Sequence, residues 1–185
     1  MVLELPRWKF TTDQYEQMGV EGIFHEDDRV ELLDGGIVQM SPIGHRHNRV
    51  VRRLNMLLAP VCVGRALVQV QSPVKLDTHW EPQPDVVVLR QREDDYATAN
   101  PTASDVLLLI EVADSSRDYD VAKWPAYARN GILEAWLVDI NDEVVLCHRE
   151  PAGEEYRLVR VYRRGEAIRP LALADQALTV DAILG

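Results

Sequence analysis

The chain has 185 residues, 46% of them hydrophobic and 27% charged, a globular balance that excludes a disordered tail, a collagen-like repeat and a disulfide-stapled miniprotein. Its longest apolar run between charges, Val106 to Ile110, is far short of the about 20 residues that a bilayer span needs. The 20 basic and 30 acidic residues leave a net charge of −10, a poor footprint for nucleic-acid binding unless cations or a local basic cluster compensate.

At a prior of roughly 150 residues per domain, the length predicts one domain, and no linker or internal repeat divides it. Residues 1–10 have neither the basic start nor the apolar stretch of a signal peptide, so a cytoplasmic location is expected. The two cysteines, Cys62 and Cys147, lie far apart without metal or redox spacing, which suits buried thiols in a reducing compartment.

Residues 11–18 predict a short surface helix capped by Thr11 or Thr12, placed as a lid. Arg29 to Met40 predicts a β-hairpin, its two apolar runs divided by Asp34-Gly35-Gly36, residues that accept the positive φ of a tight turn. After the Ser41-Pro42-Ile43-Gly44 break, Val50, Val51, Leu54, Leu57 and Leu58 recur on one helical face, predicting an amphipathic helix over 45–59. Its other side carries Arg46, Arg49, Arg52 and Arg53, either a solvated face or a phosphate-binding one.

Strands are expected over 66–76, 85–90 and 105–113. The last two are apolar on both faces, as central strands covered on both sides would be. A second helix is expected to end at Asn130-Gly131, with Ser115, Ser116 and Asp118 as cap candidates. Pro125 suits only a first turn, so regular helix would begin near Lys123 and 116–122 would form a structured loop or kinked turn. Strands over 134–140, 144–148 and 156–162, the last two joined by Pro151-Ala152-Gly153, and a short helix over 179–184 complete a mixed α/β fold.

Two acids stand at the ends of hydrophobic strands, where a buried carboxylate needs a cation or hydrogen bonds. Asp85 opens DVVVLR and Glu111 closes VLLLI, and neighbouring strands could bring both to one sheet edge. Two hard oxygen ligands there suit Mg²⁺ or Mn²⁺; the alternative is that each caps a strand or pairs with an arginine. Asp120, Lys123 and Tyr127 form an i, i+3, i+7 stripe that could face the same site, with the ammonium stabilising charge on a phosphate. Glu31 in the hairpin is either a further site acid or half of a cross-strand salt bridge. His47 falls on the apolar side of its helix, toward the sheet, where a satisfied core histidine is the commoner outcome. His45 and His47 diverge around the helix, which argues against zinc. The chain has no GxGxxG, GxxxxGK[ST], GxSxG or HExxH.

In order and spacing, RVELLDGGIVQMSPIGHRHNRVV, QPDVVVL and LLLIEVADSSRDYDVAKWPAYARNGILEAWLVD resemble the Uma-type restriction endonuclease family of the PD-(D/E)XK nuclease superfamily, over roughly residues 10–145. The resemblance implies a restriction-endonuclease-like core, a mixed central β-sheet flanked by helices, with Pro84-Asp85 as the PD element and Glu111 as the second acid. It also implies a Mg²⁺-dependent endonuclease acting on DNA. The chain departs from the E-x-K pattern at Ala113, and the resemblance points to Lys123 as a lysine migrated to the following helix. Glu31, His47 and Tyr127 match family positions near the site. Two other readings stay open: a catalytically inactive nuclease-fold module that binds nucleic acid or a protein, and hydrolysis of a small phosphoester. A symmetric homodimer would suit double-strand cleavage.

Overall fold

The structure is a computed structural model that describes residues 6–25, 27–114 and 117–185. Its centre is a six-stranded sheet of β3 (Ala66–Val70), β4 (Val86–Arg90), β5 (Val106–Ala113), β6 (Glu134–Asp139), β7 (Val144–Ala152) and β8 (Glu155–Arg163), hydrogen-bonded in that order. Every neighbouring pair is antiparallel except β5 and β6, which run parallel because helical residues cross over between them. The mixed α/β sheet flanked by helices is the architecture expected from the sequence.

Alternation along β4 and β5 sorts their side chains between two cores. Val86, Val88, Leu108, Ile110 and Val112 face a cluster built on α2 (His45–Cys62) and α5 (Val180–Leu184). Val87, Leu89, Leu109 and Ala113 face the other side, against Trp124, Ala126 and Tyr127 of α4 (Trp124–Arg129). Both strands therefore read as continuous apolar runs, since each face is buried.

Two elements pack at the margin. Helix α1 (Thr12–Val20) is closed by a Thr11–Gln14 capping box. The hairpin of β1 (Val30–Leu33) and β2 (Gly36–Gln39) turns through Asp34 at φ 50° and Gly35 at φ 74°, the two positive φ values of a tight hairpin. Tyr15 of α1 donates to the Val30 carbonyl at 2.9 Å and ties the two together.

Several boundaries differ from expectation for local reasons. Strand β3 ends at Val70 rather than continuing to Leu76, because Gln71 takes φ 47° and Pro73 has no N–H to give a ladder. Helix α2 runs past Pro60 to Cys62; the proline sits exposed in the last turn, where losing one hydrogen bond is tolerated. The stretch expected as a loop before Lys123 contains α3 (Arg117–Val121), and α4 begins at Trp124 with Pro125 in its first turn. Asp120, Lys123 and Tyr127 thus lie on two short helices and the turn between them rather than on one. Strand β7 extends to Ala152, so the β7–β8 turn falls at Gly153-Glu154 instead of Pro151-Ala152-Gly153. The proposed caps Ser115 and Ser116 lie outside the described residues.

Glu81, in the loop before β4, is 1% exposed. Its Oε1 accepts from Asn100 Nδ2 at 3.0 Å, while Oε2 has no partner among the described residues. Burial, with help from Glu16, pushes its carboxyl up to about 7. Folded Glu81 therefore keeps a proton that the unfolded chain releases near its ordinary value, and it lowers stability increasingly as pH rises from about 4.5 to about 7. Glu81→Gln removes that charge and is expected to gain about 1–2 kcal/mol at pH 8 and little at pH 5, as read by urea unfolding.

Candidate active site

The antiparallel register of β4 and β5 pairs Val86 with Ile110, so one residue further Asp85 stands opposite Glu111. Both line a cleft of about 140 Å³ at the end of the sheet, together with Asp114, Tyr119 and Asp120. Across it lie Arg29, Gln83 and the N-terminal end of α2 with Gly44 and His47. The positive end of the α2 dipole therefore faces the carboxylates.

Asp85 is held from three sides. Its Oδ2 accepts from the Val112 N–H at 2.9 Å and lies 2.9 Å from His47 Nε2, and its Oδ1 accepts from Gln71 Nε2 at 3.2 Å. The Gln71 N–H also donates to the Asp85 carbonyl at 3.1 Å, which accounts for the left-handed backbone there: it turns one residue's main chain and side chain onto the same aspartate. His47 is not a satisfied core histidine, since its buried Nδ1 has no partner among the described residues.

Behind Glu111 lies a second, buried layer. Lys123 Nζ is 2.6 Å from Glu111 Oε1, 3.6 Å from Asp120 Oδ1 and 3.8 Å from Glu31 Oε1, and its side chain is 2% exposed. Three carboxylates around one ammonium hold the lysine well above its ordinary pKa against the opposing effect of burial. Glu111 Oε1 also accepts from Tyr127 Oη at 2.5 Å. Burial pushes the Glu111 carboxyl up to about 8, with Lys123 pulling it down and Asp120 and Asp85 adding to the rise. Glu31 is fully buried: Oε2 accepts from the Gln83 N–H at 2.8 Å and Oε1 accepts from Tyr119 Oη. Neither Lys123, Glu31 nor Tyr127 lines the cleft; they brace the wall that Glu111, Asp120 and Tyr119 present to it.

The residues singled out from sequence, Asp85, Glu111, Lys123, Glu31, Asp120, Tyr127 and His47, therefore meet in one place. Sequence reasoning missed Gln71, Tyr119 and Asp114. Asp114 follows Glu111 by three positions and Tyr119 adjoins Asp120, so proximity to named acids was their signal; Gln71 had none. The basic face of α2 divides. Arg46 Nη1 donates to Asp114 Oδ1 and Asn141 Oδ1, each at 3.0 Å, and Arg53 Nε donates to the Ala182 carbonyl at 2.8 Å, while Arg49 and Arg52 are exposed.

Among the described residues no three His, Cys, Asp or Glu side chains form an all-protein metal cage. Asp85 and Glu111 nevertheless fit Mg²⁺ or Mn²⁺, which take one or two carboxylates and complete their shell with water and substrate.

Compared with known families, residues 12–181 match the Uma2 family model, described as "putative restriction endonuclease". The chain belongs to the Uma2 family. Among solved structures, this Uma2 chain is similar to a putative nuclease of the DUF820 group from Anabaena variabilis ATCC 29413. The TM-score is 0.76 at 17% identity, over 95% of this chain and 97% of the other. That likeness establishes the shared fold. No curated protein matches the Uma2 chain in sequence.

Proposed function

We propose that the protein is a divalent-cation-dependent endonuclease that hydrolyses DNA phosphodiester bonds, with Asp85 and Glu111 as the ligands of Mg²⁺, or of Mn²⁺ in its place. The observation that carries this reading is that Asp85 and Glu111 line one acidic cleft at the end of the sheet, in a Uma2-family chain. When bound, the cation supplies Lewis-acid polarisation of the phosphodiester and a nucleophilic water at neutral pH.

The chain's own residues set the stage for that chemistry. Val112, Gln71 and His47 orient Asp85 through hydrogen bonds. Tyr127 and Lys123 fix Glu111, so Lys123, in place of the lysine that Ala113 replaces, acts as a positioning residue from behind the wall. Glu31 and Asp120 keep that lysine charged, and Tyr119 closes the wall over it. The acids lining the cleft outnumber Arg29 and His47, so a phosphate diester approaches favourably only with cations present, as the net charge of −10 already requires. His47 Nε2 stands at the cleft, 2.9 Å from Asp85 Oδ2.

The test is cleavage of supercoiled plasmid with Mg²⁺, with Mn²⁺ and with EDTA, beside Asp85→Asn. Cation-dependent nicking that EDTA abolishes and Asp85→Asn lowers about 100-fold or more is expected. Ala113, packed 1% exposed in the α4 core where the superfamily lysine would stand, favours the competing reading of a binding module. DNA binding without cleavage by folded wild-type protein in either metal would establish that reading instead. Neither binding nor cleavage of DNA, with turnover of a small phosphate diester, would move the substrate class.

A further inference from the structure

Strand β8 is one of the two edges of the central sheet, opposite β3, and Glu155, Arg157, Leu158, Val159, Arg160, Val161 and Arg163 are all exposed along it. Leu158, Val159 and Val161 are 44%, 48% and 41% exposed, an unusual concentration of apolar surface on one strand. The charged residues beside them divide into two kinds. Arg160 pairs with Glu166, and Arg164, just past the strand, pairs with Glu143 and Asp181. Glu155 and Arg163, at the two ends of β8, and Arg157 between them have no ion-pair partner among the described residues.

We propose that β8 docks antiparallel onto β8 of a second copy of this chain, about a two-fold axis through Val159, so that one sheet runs through both copies. The charges on the strand select this partner and this register. With Val159 opposite itself, Glu155 of each copy faces the partner's Arg163, giving two symmetric ion pairs. Leu158 then faces the partner's Arg160, and Arg157 the partner's Val161, so no like charges stand directly opposite. Other registers fare worse. Centring the axis on Leu158 sets Glu155 against the partner's Val161 and Arg163 against the partner's Gly153, so the two ion pairs are lost. Centring it on Arg160 opposes Arg160 to itself and Arg157 to the partner's Arg163. Of the axes through Leu158, Val159 and Arg160, which overlap most of the strand, only the one through Val159 both keeps like charges apart and forms the two ion pairs. The inference rests on β8 alone and is independent of the proposed chemistry.

Sedimentation equilibrium of the full chain over a concentration series tests it. The wild type is expected to be a dimer whose Kd rises about tenfold in Glu155→Arg and in Arg163→Glu, because each change sets like charges opposite at both ends. The double variant Glu155→Arg/Arg163→Glu is expected to restore the wild-type Kd. Val159→Lys, which places two ammonium groups together on the axis at an exposed position, is expected to be monomeric with an unchanged circular dichroism spectrum. A wild type that stays monomeric at its highest soluble concentration overturns the proposal. So does a dimer indifferent to these substitutions, or a double variant no tighter than its single parents.

Discussion

Lys123→Met is expected to destabilise the protein by about 3–5 kcal/mol at pH 8, the cost of leaving buried charge without its counter-charge. The ammonium is 2% exposed and serves Glu111, Glu31 and Asp120 together, so its loss leaves an acidic cluster sealed behind the cleft wall. The deficit depends on pH, with a definite sign. Glu111, pushed up to about 8 by burial, loses with the lysine the neighbour that pulls its pKa down, so it rises further. The folded variant then binds a proton that the unfolded chain gives up near its ordinary value of 4.5, and its stability falls as pH climbs from there. Urea unfolding of wild type and variant should show a large gap at pH 8 and a much smaller one at pH 5. A gap equal at both values would mean that lost packing of the long side chain, rather than charge, dominates. At a temperature where circular dichroism shows the variant folded, plasmid nicking should still fall, because Glu111 loses the 2.6 Å contact that fixes it.

Much of this site was legible in the sequence because its two cleft acids interrupt apolar runs. A carboxylate at the end of VLLLI or the start of DVVVLR is expensive unless something compensates it, and antiparallel pairing of neighbouring strands is enough to bring the two together. The 3.6-residue rhythm of α2 and the Asp34-Gly35 turn were legible for similarly local reasons. What was not legible depends on contacts distant in sequence. Tyr119 reaches Glu31 across 88 positions, and Gln71 reaches Asp85 only because the chain leaves β3 in a left-handed turn, which no glycine announces. The split of one expected helix into α3 and α4 follows Pro125, which the sequence marked, but the helical turn before Lys123 was not marked by any apolar stripe. The bracing role of Lys123 was hidden for a further reason. Spacing can bring a lysine near an acid, but only packing decides whether it faces the cleft or lies behind it.

Glu134→Ala is expected to be as damaging as Lys123→Met, yet through the framework alone. Glu134 is fully buried at the start of β6. Its Oε1 accepts from Arg149 Nη2 at 2.6 Å, Arg149 Nε at 3.0 Å and Trp136 Nε1 at 2.9 Å, and its Oε2 accepts from the Leu171 N–H at 2.6 Å. One carboxylate thus ties β6 to β7 and fastens the C-terminal segment over the α2 side of the sheet. Truncation strands an indole N–H and a backbone N–H and leaves the Arg149 guanidinium with the Arg169 carbonyl alone, a loss of about 3–5 kcal/mol. For a chain of this length that lowers Tm by about 10 °C, measurable by calorimetry. The ion pair itself is not the source of that stability, since two charges taken from water recover little more than their desolvation cost. Glu134→Leu combined with Arg149→Met should therefore recover part of the loss, whereas either change alone should not. Because Glu134 contacts none of the cleft residues, nicking by folded Glu134→Ala should stay at the wild-type rate. That contrast separates two buried charge clusters that look alike by burial: the one around Lys123 should tie stability to cleavage, and the one around Glu134 should not.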